Sequence, residues 1–117
     1  MHNFKDLKVW KLGIEISKVI FDTIQGFSNE HKFGISNQMF RAAVSIPSNI
    51  AEGSGRQSPK EFKQFLNIAL GSSFELETQL IIAKDIDLIT EASFKEIEIK
   101  IIELQKMLGG LIKSIAI

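Results

Sequence analysis

The 117-residue chain is predicted to be all-α, a single domain over residues 1–117 folded as an antiparallel up-down-up-down four-helix bundle. Three observations predict this. Apolar residues recur at alternating steps of three and four along four stretches. No stretch shows the period of two of a half-buried strand, and short runs rich in Gly, Ser, Asn and Asp separate the helical patterns.

Helix one is expected from about Asp6, its cap, to about Gln25, with Leu7, Trp10, Ile14, Ser17, Phe21 and Ile24 as the inner stripe. Val9, Ile16, Val19 and Ile20 widen its apolar band to a second face. Trp10 reads as a core anchor rather than a stacking platform for bases or sugars. Gly26 to Lys32 is a loop; His31 within it, and His2 at the N-terminus, read as solvated side chains.

Helix two is expected from about Ser36 to about Glu52, facing inward with Ile35, Met39, Ala42 or Ala43, Ile46 and Ile50, while Phe40 and Val44 lie off that line. Pro47 falls inside the pattern. It removes a backbone donor, so a helix kinked at Pro47 is expected, with Ser45 and Ser48 satisfying the freed groups. Gly53 and Gly55 are expected to end the helix in positive φ.

Ser58-Pro59-Lys60-Glu61 is a helix start: a capping serine, a proline at the first position, and a glutamate placed to reach back and close a capping box. Helix three should run from Pro59 to about Lys84, with a seam of Phe62, Leu66, Ala69, Ser73, Leu76, Leu80 and Ala83. The small residues Gly71, Ser72 and Ser73 suggest a closely approaching neighbour. Lys84 to Ile89 connects to helix four, which Thr90 caps and which faces inward with Phe94, Ile97, Ile101, Leu104, Leu108, Leu111 and Ile115. Ile99 and Ile102 lie outside that seam, and fraying is expected after Gly109 and Gly110. The second apolar bands on helices one, two and four exceed what one bundle hides, which predicts a homo-oligomer.

Composition narrows the function. Without cysteine there are no disulfides and no thiolate metal sites. No apolar run approaches the roughly 20 residues of a membrane span, and the N-terminus lacks signal-peptide order, so a cytoplasmic protein without membrane association is expected. Lys plus Arg equals Asp plus Glu, so no bulk positive charge argues for nucleic acid.

No catalytic residue and no cofactor is predicted. The acids Glu75, Glu77, Glu98 and Glu103 lack the Glu-x-x-His pairs of a di-iron bundle, and the two histidines are too few for a metal site. No Gly-x-Ser-x-Gly elbow is present, and Gly53-Ser54-Gly55-Arg56 lacks the Gly-Lys-Ser/Thr ending of a phosphate loop. A second reading of that corner is an anion held by free amides and Arg56. Basic residues do group: Lys5, Lys8 and Lys11 along the first helix, and Arg41, Arg56, Lys60 and Lys63 around the corner. These are the candidate contacts to RNA or DNA.

The segments Phe4 to Trp10, Gln38 to Arg56, Phe65 to Ser72 and Glu75 to Leu80 resemble the four-helix bundle protein family also known as 23S rRNA intervening-sequence proteins, or the S23 family. The run Ser45-Ile46-Pro47-Ser48-Asn49-Ile50-Ala51-Glu52-Gly53 is its most specific part, and only the last helix is matched by pattern alone. The resemblance implies a non-catalytic bundle that assembles into pentameric rings, in a family encoded within insertions of bacterial 23S ribosomal RNA genes. A related accessory protein of diversity-generating retroelements forms a basic pentamer that binds nucleic acid and a reverse transcriptase. This chain departs from such relatives in being neutral. By position in the motif, Arg41 and Arg56 are the first candidates for phosphate contact, and Glu52, Glu75 and Glu77 for a structural network that pairs with Arg41 or caps a neighbouring helix. The alternative is an adaptor or scaffold ring that docks a protein partner with no role for nucleic acid.

Overall fold

The computed structural model describes residues 3–28, 30 and 34–116. The expectations for His2, His31 and Lys32 fall outside the described residues. A one-turn 3-10 helix, Phe4–Asp6, precedes four α-helices: α1 (Lys8–Ile24), α2 (Ile35–Ser54), α3 (Pro59–Asp85) and α4 (Glu91–Ser114). Among the described residues there is no strand. Each helix packs on its chain neighbours and α4 closes back on α1, giving an antiparallel bundle 45 Å long. The 27 residues of α3 account for that length, at about 1.5 Å rise per residue.

The seams of α3 and α4 lie as their spacing predicts. Phe62, Leu66, Ala69, Ser73, Leu76, Leu80 and Ala83 are all buried, as are Phe94, Ile97, Ile101, Leu104 and Leu108. Leu111 and Ile115 are half-buried, and α4 continues through Gly109 and Gly110 to Ser114 rather than fraying. α1 is turned from its expected orientation. Its buried residues are Val9, Gly13, Ile16 and Ile20, whereas Leu7, Trp10, Ile14, Ser17 and Ile24 are half-buried and Phe21 is exposed. Gly13 decides the orientation, because a glycine reads as a gap in an apolar pattern but here admits the neighbouring helix. Trp10 packs on the rim of the core, edge-on to Phe4 at 5.3 Å. The cap also moves: Asn3 caps the 3-10 turn, and α1 begins after Leu7 with no side-chain cap.

α2 is helical without interruption through Pro47. A proline at position 47 leaves the carbonyl of Ala43, four residues earlier, without its helical donor. The expected local serines do not fill the gap. Ser17 of α1 does, its Oγ lying 3.2 Å from the Ala43 carbonyl oxygen and 2.9 Å from that of Gly13, so that one hydroxyl proton serves both. Beside it the proline ring fits the space a side chain at Gly13 would need: a Cβ there would lie 3.3 Å from both Cβ and Cδ of Pro47. Ser45 instead faces α3, its Oγ 2.8 Å from Ser72 Oγ and 3.0 Å from the Asn49 amide that donates to it. Ser48 is exposed.

The α2–α3 corner forms by close approach, not by left-handed backbone. Gly55 has φ −82°, and no described glycine has positive φ. Gly53 is required because a Cβ there would sit 2.6 Å from Phe65 Cβ and 3.1 Å from Phe62 Cδ1. Ser58 Oγ accepts from the Glu61 amide at 3.4 Å, while the Glu61 carboxylate turns to Arg56 at 4.0 Å instead of closing a capping box. The left-handed position belongs to Asp87, φ 64°, at the end of α3. Leu88 N–H donates to Ala83 and Asp87 N–H to Lys84, the paired bonds of a Schellman ending. Thr90 then caps α4, accepting from the Ser93 amide at 3.1 Å.

Candidate functional site

The topology places the start of α1, the α2–α3 corner and the end of α4 at one end of the bundle. Ile115 accordingly lines a small pocket with Ser54, Arg56, Pro59 and Phe62. Two of the basic groups seen in the sequence, far apart along the chain, therefore share an end. Lys5, Lys8, Lys11, Arg56, Lys60 and Lys63 lie in this half, together with Lys106 and Lys113 from the last turns of α4. The acids in the same half are fewer: Asp6, Glu15, Glu52, Glu61 and Glu103. In the other half the balance reverses. There Asp22, Glu30, Glu75, Glu77, Asp85, Asp87, Glu91, Glu96 and Glu98 face Lys18, Arg41, Lys84, Lys95 and Lys100 among the described residues. A chain of zero net charge is thus polarised along its length. Lys106 and Lys113 carry no motif, and only the antiparallel topology reveals that they join the group.

Local partners separate cations that are held from cations that are free. Arg56 is held: its guanidinium is 2.8 Å from Glu52 one turn back and stacks on the Phe65 ring at 4.9 Å from the centroid. This ties the last turn of α2 to the first turns of α3. Both ionic partners are substantially exposed, so the pair itself contributes only about 0.3–0.5 kcal/mol. Lys8 and Lys11 border a groove between α1 and α4 with Glu15, Glu103 and Met107. Lys8, Lys11, Lys60 and Lys63 make no ion pair with a described residue, and Lys5 only approaches the Phe4 ring at 5.9 Å.

Arg41 is not part of that end. It lies in the first half of α2, exposed, beside Gln38, Ser45 and Glu75 in a polar groove between α2 and α3, with no ion pair to a described residue. The three glutamates do not form one cluster. Glu52 pairs with Arg56, Glu75 accepts from the buried Gln79 amide at 3.4 Å, and Glu77 accepts from Gln105 of α4 at 2.9 Å. Gln79 keeps its Oε1 buried without a partner. Among the described residues no three His, Asp or Glu side chains converge as a metal site would require. Among the described residues no helix is long and apolar enough to cross a membrane.

The chain is similar to known proteins over most of its length. The sequence profile described as 23S rRNA-intervening sequence protein matches residues 5–110. A crystal structure of a protein with unknown function from the S23 ribosomal protein family of Bacteroides thetaiotaomicron is 32% identical, with a TM-score of 0.85. The similarity covers 91% of this chain and 99% of that one. No curated relative matches.

Proposed function

The chain belongs to the 23S rRNA-intervening sequence protein family, and we propose that it is a non-catalytic, homo-oligomeric bundle that binds RNA or DNA through its basic end. The polarisation of charge carries this reading. Lys5, Lys8, Lys11 and Lys60 make no ion pair with a described residue at the end that Arg56 stiffens, and unpaired lysines are the groups that neutralise phosphates. A pentamer, as the family resemblance implies, would repeat that end around an axis and turn weak single contacts into avidity.

The test is anisotropy of a labelled structured RNA and of a duplex DNA across a salt series. Binding whose log affinity falls linearly with log salt supports the reading, since each neutralised phosphate adds about 0.9 to the slope on duplex DNA and about 0.7 on single strands. Absence of binding at low salt, by protein of native oligomeric mass, removes it. A second reading, a ring or adaptor that docks a protein partner, is favoured by the exposed Ile99 on α4, 66% accessible and outside the seam. Retention of a partner protein by wild type but not by Ile99→Asp would support it.

A further inference from the structure

The outward half of α3 carries Ile68, Phe74, Ile81 and Ile82, all exposed, with Gly71 among them. Gly71 weakens the helix relative to alanine, and nothing within the subunit requires it: a Cβ there would meet no atom within 4 Å. Elsewhere on the molecule, α1 and α2 form an apolar groove lined by Ile14, Ser17, Phe21 and Phe40. Phe21 is 49% exposed and reaches Phe40 at 5.6 Å between ring centroids, and Lys18 and Asp22 stand on the rim.

The heights of these two surfaces agree. Ser17 lies beside Ala43, and Ser45 lies beside Ser72, so the antiparallel register sets Ser17, Ala43 and Phe74 at about the same level along the bundle. Phe74, 51% exposed, is therefore level with the middle of the groove, between Ile14 and Phe21. Glu75, exposed beside it, is level with Lys18 on the groove's rim.

We propose that the occupant of the α1–α2 groove is the α3 face of a second copy of this chain, with Phe74 entering between Ile14, Phe21 and Phe40 and Glu75 facing Lys18. Matching height, apolar character and opposite charge are what two bundles standing side by side about a common axis require. Gly71 then serves the close approach of the neighbouring helix. Groove and stripe lie on different helices, so each subunit can offer both at once in a head-to-tail contact, which gives a ring where the rotation between neighbours closes. This inference rests on the homo-oligomer of the proposed function and names its interface.

The test compares native mass, by sedimentation velocity, for wild type, Phe74→Glu and Phe21→Glu, with helicity and melting confirming that each exposed-site variant is folded. Each variant should be monomeric, its dissociation constant raised about 30-fold or more. Mixed together, the two should form a one-to-one dimer and nothing larger, because Phe74→Glu retains an intact groove and Phe21→Glu an intact stripe. An oligomeric wild type whose mass survives both substitutions overturns this interface while leaving the oligomer standing. Folded variants that dissociate singly but do not pair when mixed overturn the head-to-tail arrangement. A monomeric wild type overturns the oligomer and the interface together.

Discussion

The Ser17 hydroxyl lies 3.2 Å from the Ala43 carbonyl, the oxygen that Pro47 deprives of its helical donor. A helix-breaking residue in α2 is thus accommodated by a polar side chain from α1. Removing the hydroxyl leaves a part-buried acceptor unsatisfied, which costs about 1–3 kcal/mol. Ser17→Ala should lower stability by that amount in urea unfolding at fixed protein concentration. In a Pro47→Ala background, which restores the N–H, Ser17→Ala should cost clearly less; equal costs in the two backgrounds would disprove the link.

Helix glycines should respond with opposite signs. Gly53→Ala places a Cβ 2.6 Å from that of Phe65, and overpacking of this kind costs about 1–3 kcal/mol, more than the helix propensity gained. At Gly110 a Cβ meets nothing within 4 Å, so Gly110→Ala should stabilise by up to about 1 kcal/mol. Thermal melting of the two variants distinguishes them by direction alone.

Asp87 holds a left-handed conformation, φ 64°, where an L-residue is strained by about 1–2 kcal/mol. Asp87→Gly should therefore raise the melting temperature, and Asp87→Val should lower it below wild type. A neutral response to both would mean that the Schellman ending contributes little to the α3–α4 connection.

Charge neutralisation should separate binding from folding. Lys8→Gln, Lys11→Gln and Lys60→Gln should each leave melting unchanged and reduce the salt slope of nucleic-acid binding by about 1 for each phosphate no longer neutralised. Lys95→Gln, at the opposite end, should change neither. Arg41→Ala should leave melting within about 0.5 kcal/mol of wild type, since this exposed side chain makes no ion pair with a described residue. Arg56→Ala should lower stability, because the interactions with Glu52 and Phe65 both disappear.

The sequence made the helices and the inner faces of α3 and α4 legible because their buried seams keep the three-four step with no glycine at an inward position. α1 defeated the same reasoning because its inward face, Val9, Gly13, Ile16 and Ile20, includes a glycine that periodicity cannot count. At Gly53 the demand for glycine was legible but its cause was not. Positive φ is a local property, whereas the close approach of Phe65 depends on how α3 folds back. The partner of Ala43 was invisible for the same reason, since Ser17 is distant in sequence and carries no motif. The basic groups could be found by eye; that two of them share an end with Lys106 and Lys113 follows only from the topology.

Side-by-side packing of such polarised bundles about one axis, as proposed, would bring like poles together and give a ring of neutral subunits one cationic rim and one anionic rim. Isoelectric behaviour averages the two and reports nothing. A polyanion experiences them separately and can approach from one side only. The proposed assembly would have a front and a back, and anything carried on its far rim would be held away from a bound nucleic acid by the 45 Å length of the bundle.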